Sequence, residues 1–192
     1  MIRKNLYILL IIAPFIFSCF SCNTFGANTK TIDVNGMIYD FANKPVAYCD
    51  ISIGDLYTGS TDINGRFTLP KIPPETYIIS AFKEGYEIYS DEITIRDQGQ
   101  IVYIRIPSQM QLLSLVDDAL TMMNFDIAEE YIQRAYHIDR NNIEMLFYYA
   151  TVKFRQGNYT EAIGFLTIAK NLGSKDTYID RFLTVLEEFK YE

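Results

Sequence analysis

Hydrophobic positions alternate with polar ones in the first half of the chain and recur at helical spacing in the second. After Pro45, the residues Ala47, Cys49, Ile51 and Ile53 fall on one side of an extended run, and Val46, Tyr48, Asp50 and Ser52 on the other. Tyr77, Ile79 and Ala81 alternate in the same manner, as do Ile93 and Ile95. Turn formers punctuate these runs at Asn43-Lys44-Pro45, Asp62-Ile63-Asn64-Gly65, Pro73-Pro74, Lys83-Glu84-Gly85 and Asp97-Gln98-Gly99. About six or seven short strands at this spacing, with no helical period between them, predict an antiparallel β-sandwich over residues 31–107.

From residue 108 the period changes to that of a helix. Leu112, Leu115, Val116 and Ala119 form one apolar stripe, and Ala128, Tyr131, Ile132 and Ala135 a second. Leu146, Tyr149 and Ala150 begin a third, and Ala162, Phe165, Leu166 and Ala169 make a fourth, with turns at Asn124-Phe125 and Gly157-Asn158-Tyr159. Phe125, Ala128, Ile132 and Ala135 recur as Tyr159, Ala162, Leu166 and Ala169, each 34 residues further on. That offset is the period of helix–turn–helix units that stack into a solenoid and present a groove to another chain. Asp176 can cap a last helix, on which Ile179, Phe182, Leu183, Leu186 and Phe189 share a face.

The expected fold class is therefore multidomain β plus α. A seven-stranded antiparallel β-sandwich precedes an α-solenoid of two repeats, at 109–142 and 143–176, closed by a capping helix over 177–190. Two repeats and a cap are fewer than the roughly three units that usually stand alone. The array is expected to lean on the strands, or on a partner, at its open N-terminal end.

Arg3 and Lys4 precede an apolar run from Leu6 to Phe17. At about twelve residues this run is too short for a bilayer span of roughly twenty. Ile16 and Ser18 before Cys19 resemble the end of a bacterial lipoprotein signal peptide, which would occupy residues 1–19. Cys22, after Ser21, is the alternative attachment site. The resemblance implies a diacylated cysteine, enough for stable membrane anchoring. It also implies a place in the cell envelope, facing the periplasm or the exterior. Residues 20–30, rich in Ser, Asn, Thr and Gly, would then be a flexible tether reaching about 35 Å at ~3.3 Å per residue.

Two further resemblances rest on named residues. Gly36-Met37-Ile38-Tyr39-Asp40, Lys44-Pro45-Val46, Thr61-Asp62 with Gly65 and Phe67, Leu69-Pro70, Tyr77 and Gly85-Tyr86 resemble the carboxypeptidase regulatory-like domain. That family implies a transthyretin-like sandwich and no peptidase chemistry; Glu75 departs from its usual glycine. Gln109–Asn142 and Ile143–Asp176 resemble consecutive tetratricopeptide repeats through Ala128, Ala135, Ala150, Tyr159, Ala162 and Ala169. Leu112 and Leu146 replace the usual tryptophan, Ala119 and Lys153 the usual tyrosine, and Arg140 and Ser174 the usual proline. In this family the first helix of each pair lines the concave surface. The resemblance thus makes Asp117, Leu120, Phe147, Thr151 and Phe154 the candidate partner-binding groove. Basic residues that grip acidic peptides in some relatives are missing from the first helix, where Asp117 stands.

Composition narrows the functions. Residues 31–107 carry eleven acids against six bases, and residues 108–192 thirteen against eight, within a net charge of −7. No basic stripe neutralises phosphates, which argues against nucleic acid as a partner. The single histidine, His137, is expected near a helix C-terminus on the surface, and zinc chemistry needs a fuller ligand set. Asp62-x-Asn64-Gly65 reads as a tight turn, since the remaining carboxylates of a calcium loop do not follow. Cys49 reads as a small buried apolar residue, with no disulfide framework around it. No Ser-His-Asp set or Gly-rich phosphate loop is present. The expectation is a non-enzymatic, lipid-anchored adaptor that binds a protein partner and uses no cofactor and no metal. The alternative is a glycan binder that stacks sugars on Tyr57, Tyr86 and Tyr89.

Overall fold

The computed structural model describes residues 30–189 other than 98 and 176, so Cys19, Cys22 and the Asp176 cap fall outside the described residues. Among the described residues, seven strands are followed by five helices. The strands are β1 (Ile32–Tyr39), β2 (Asp50–Ile53), β3 (Tyr57–Ser60), β4 (Arg66–Ile72), β5 (Thr76–Phe82), β6 (Tyr89–Thr94) and β7 (Ile101–Arg105). They form a three-stranded sheet in the order β4-β1-β7 and a four-stranded sheet in the order β3-β2-β5-β6. Inward positions of both sheets, among them Val34, Ile38, Ile51, Ile53, Leu69, Ile79 and Ile104, belong to one buried apolar cluster.

Two features depart from the sequence reading. The sheets are not wholly antiparallel: β1 and β7 run parallel, with Asn35 opposite Ile101 and Tyr39 opposite Arg105. Hydrophobic alternation marks which face a strand buries but carries no information on the direction of its neighbour. The run after Pro45 is also broken. Tyr48 takes a left-handed φ of 53°, which reverses the alternation, so Val46 turns into the core while Tyr48 lies exposed. The regular strand begins only at Asp50.

The Asp62–Gly65 segment is a tight turn. Asp62 Oδ1 accepts from the backbone N–H of Asn64 and Arg66, each at 2.8 Å. These bonds, that from Arg66 foremost, hold the Asp62 carboxyl below its usual range. Gly65 has a φ of +72°, and a Cβ there would stand 2.6 Å from Ile38 O. Only glycine suits that position.

The helices are α1 (Gln109–Thr121), α2 (Phe125–Ile138), α3 (Ile143–Arg155), α4 (Tyr159–Asn171) and α5 (Thr177–Phe189). α1 and α3 begin 34 residues apart, as do α2 and α4. Ser108 and Gln111 close a reciprocal capping box at the start of α1. Ala119, Ala128, Ala135, Ala150, Ala162 and Ala169 are all buried in a second apolar cluster with Leu112, Val116, Ile132, Leu146 and Leu166. Small side chains there let the helix axes approach closely.

The strands meet the helices through hydrogen bonds. Gln109 N donates to Gly85 O at 2.9 Å, and Glu87 N to Pro107 O at 3.0 Å. The Gln109 side chain reaches on to Ala135 O and Asp139 O, both at 2.9 Å, and so engages carbonyls at the end of α2. Arg134 closes the joint with a two-pronged pair to Glu87, each contact 2.8 Å. The first two helices thus rest on the 85–87 turn and do not end in open solvent.

Candidate functional site

The five groove residues proposed from sequence lie on α1 and α3. Asp117 is exposed, while Leu120, Phe147, Thr151 and Phe154 are half-buried. Phe147 and Phe154 do not stand open to water over their whole surface. The ring of Phe147 meets Phe182 of α5 edge-on at 5.9 Å. Phe154 meets Phe182 at 5.5 Å, Phe189 at 6.0 Å and Tyr159 at 5.9 Å. Helix α5 therefore covers most of Phe154. Thr151 spends its hydroxyl hydrogen on Phe147 O, one turn back, at 2.9 Å.

Phe147 keeps one open side. With Ile143, Glu144, Tyr178 and Ile179 it lines a cavity of about 460 Å³ between the N-terminal ends of α3 and α5. The walls are mostly apolar, and Glu144 supplies the charged edge. Beside this cavity stands a residue that the sequence reading missed. Burial, then the charges of Asp117 and Glu144, raise the Tyr148 phenol above its ordinary pKa. The charges of Asp117 of α1 and Glu144 of α3 are thus both felt at Tyr148. The signal for Tyr148 was its place three residues before Thr151, on the same side of the helix.

Deeper among the helices, Lys153 of α3 is a half-buried cation. Its ammonium bridges Glu129 of α2 at 3.0 Å and Glu161 of α4 at 3.1 Å. Glu129 Oε1 also accepts from Gln133 at 2.7 Å and Tyr149 at 3.4 Å. Tyr149 in turn stacks on Phe165 with centroids 4.0 Å apart. This is a structural staple across three helices.

The three tyrosines of the strand region do not make one platform. Tyr57 sits on β3 and Tyr89 on β6, the two opposite edges of the four-stranded sheet, about 14 Å apart at ordinary strand spacing. Tyr57, Tyr86 and Tyr89 all pack partly against the core. Tyr57 also meets Tyr77 edge-on at 6.0 Å. Cys49 is buried and free, and burial pushes its thiol up to about 11. Such a thiol is almost wholly protonated at neutral pH and is a poor nucleophile. His137 lies exposed in the last turn of α2, where a histidine favours the helix dipole. Among the described residues no group of three or more His, Cys, Asp or Glu is placed to hold a metal ion. No described helix is long and apolar enough to cross a membrane.

No family model matches the chain, and no curated protein does. Several solved structures are similar to part of it. An interface mutant of a type II cohesin–X-dockerin complex from Acetivibrio cellulolyticus is 18% identical, over 41% of this chain and 58% of its own, with a TM-score of 0.36. Catechol 1,2-dioxygenase from Pseudomonas arvilla C-1 is 12% identical, over 42% and 53%, with a TM-score of 0.35. 3-Chlorocatechol 1,2-dioxygenase from Rhodococcus opacus 1CP is 17% identical, over 41% and 60%, with a TM-score of 0.33. The chain thus spans less than two thirds of each, and at these scores nothing about function passes from them to this protein.

Proposed function

We propose that this chain is an exported, lipid-anchored adaptor without catalytic activity, which recognises a segment of another protein on the face shared by α1, α3 and α5. In this reading the strands form a carboxypeptidase regulatory-like sandwich that serves as base and spacer. The helices are two tetratricopeptide-type repeats with a closing helix. The observation that carries the reading is the apolar cavity beside Phe147, bordered by Glu144. A partner segment with one apolar side chain and flanking hydrogen-bond donors or positive charge suits it.

A photo-crosslinking residue at position 148 or 151 should trap one protein in the native cell envelope. The same probe at Thr68, on the exposed face of β4, should not trap it. Asp117→Arg should lower the yield at 148 several-fold by reversing the local charge. Identical adducts from positions 148 and 68, or an undiminished yield with Asp117→Arg, would count against the groove.

The anchor has its own check. Incorporation of an alkyne-bearing fatty acid should vanish in Cys19→Ala and persist in Cys22→Ala. Loss only in Cys22→Ala would move the attachment point, and unchanged labelling in both would remove the anchor.

A further inference from the structure

Where β1 and β7 run out beside α1, a cavity of about 400 Å³ opens, lined by Phe41, Ala42, Arg105, Gln111, Ser114 and Leu115. It lies at the joint between strands and helices and is separate from the cavity at Phe147. Its walls are unlike those of a packing defect. Phe41 and Leu115 provide apolar surface, and every side-chain polar group that faces the space has hydrogen to donate.

Arg105 is the central group. One of its N–H groups donates to Phe41 O at 3.0 Å, and the guanidinium lies 5.7 Å from the Phe41 ring centre. Among the described residues it forms no ion pair. Arg134 approaches the same ring at 5.9 Å, but its charge is neutralised by the paired contacts to Glu87. The cavity therefore carries one uncompensated positive charge, in a chain whose net charge is −7.

Gln111 adds direction. Its Oε1 accepts from Ser108 N at 3.1 Å and from Phe41 N at 3.3 Å. Those two donors fix which end of the amide is oxygen. The NH₂ group has no acceptor among the described residues, and neither has the Ser114 hydroxyl.

We infer that this cavity binds a monocarboxylate carried on a compact apolar body. The carboxylate would take the remaining N–H groups of Arg105 and the Gln111 amide, and the body would lie against Phe41 and Leu115. Guanidinium and carboxylate match in plane and spacing, which favours this anion. A phosphate monoester, with close to two charges, would need a second unpaired cation that the cavity does not offer. The volume lies at the small end of ligand cavities, about 300–1,000 Å³. The same chemistry can come from a free small acid or from the C-terminus of a peptide with an apolar last residue.

The test is a titration of the ¹⁵N-labelled chain with 4-phenylbutyrate, 4-phenylbutyramide and a short peptide ending in leucine, the last as free acid and as amide. At least one acid should shift the Phe41, Ala42, Gln111 and Leu115 signals and bind about tenfold tighter than its amide, the scale of one charge-assisted hydrogen bond. Tighter binding of 4-phenylbutyrate identifies a free acid as the source, and tighter binding of the peptide acid identifies a C-terminus; both support the site. Arg105→Gln should bring the acid down to the affinity of its amide, Arg105→Lys should restore part of the difference, and Arg96→Gln should leave it unchanged. The comparison of acid with amide needs no variant and stands even if Arg105→Gln fails to fold. Equal affinity of acid and amide, shifts that map elsewhere, or a folded Arg105→Gln that binds as before would overturn the inference.

Discussion

Replacing Gly36 with valine should cost about 3 kcal/mol or more, the upper part of the range for overpacking a filled core. Gly36 lies in β1, the central strand of the three-stranded sheet, opposite Phe67 on one side and Val102 on the other. A Cβ at this position would stand 2.2 Å from Phe67 Cζ and 2.7 Å from Val102 O. Neither neighbour can yield cheaply. The Phe67 ring is buried, and the Val102 carbonyl belongs to the strand that β1 pairs with. Even Gly36→Ala should be costly, because the clash begins at Cβ. In a domain of this size each kcal/mol lowers the melting temperature by about 2–4 °C, so the valine variant should melt about 10 °C lower. Thermal and urea melts followed by tyrosine circular dichroism measure this. Adding Phe67→Leu to Gly36→Ala should recover part of the loss, since it shortens the ring that the methyl meets. An alanine variant within ~0.5 kcal/mol of the parent would show that the strand can move aside.

The second large effect is expected at Lys153. With this ammonium removed, Glu129 keeps its charge in a site where its side chain is only 18% exposed. Its Oε2 is buried and has no partner among the described residues. Breaking such a pair from one side typically costs about 3–5 kcal/mol, and the residual exposure of Glu129 places Lys153→Ala near 3. Adding Glu129→Gln should restore much of the loss by removing the stranded charge. The pair also has a pH signature. Burial by itself lowers the Lys153 pKa, but the bonds to Glu129 and Glu161 outweigh it and the net shift is upward. The folded chain then holds this proton to higher pH than the unfolded chain. The stabilisation is complete below the ordinary lysine value of about 10.4 and fades as pH rises through the folded one. Tyr149, its phenol raised by burial and by Glu129, acts in the same direction. The stability gap between the parent and Lys153→Met should therefore be wide at pH 8 and narrower near pH 11. Equal urea midpoints at pH 8 would discard the staple.

Helix starts were legible where apolar spacing and turn residues agree, and at α2 and α3 an asparagine cap joins them. Asn124 and Asn142 accept from Ile127 N and Met145 N, as good N-caps do. Buried alternation was equally legible at Ile51, Ile53, Ile79 and Ala81. What could not be read depends on partners distant in the chain. The parallel pairing of β1 with β7 joins residues some sixty-six apart, such as Asn35 and Ile101. The kink at Tyr48 is a backbone choice that a tyrosine side chain does not advertise. The i, i+4 spacing of Phe147 and Thr151, with Phe154 a turn on, marked a shared helix face. It could not say whether Phe182 and Phe189 of the same chain would take part of it. Arg105 is one more polar outward residue in its strand, and only the approach of α1 turns it into the wall of a cavity.

The parallel course of β1 and β7 places the entry and the exit of the chain at opposite ends of the three-stranded sheet. The chain enters the three-stranded sheet at Ile32 and departs beyond Arg105, level with Tyr39 at the far end of β1. At ~3.3 Å per residue, the eight residues of β1 separate entry from exit by about 25 Å. Under the anchor proposed at Cys19 or Cys22, the tether would join the sheet at the Ile32 end, opposite the end from which the chain leaves for α1.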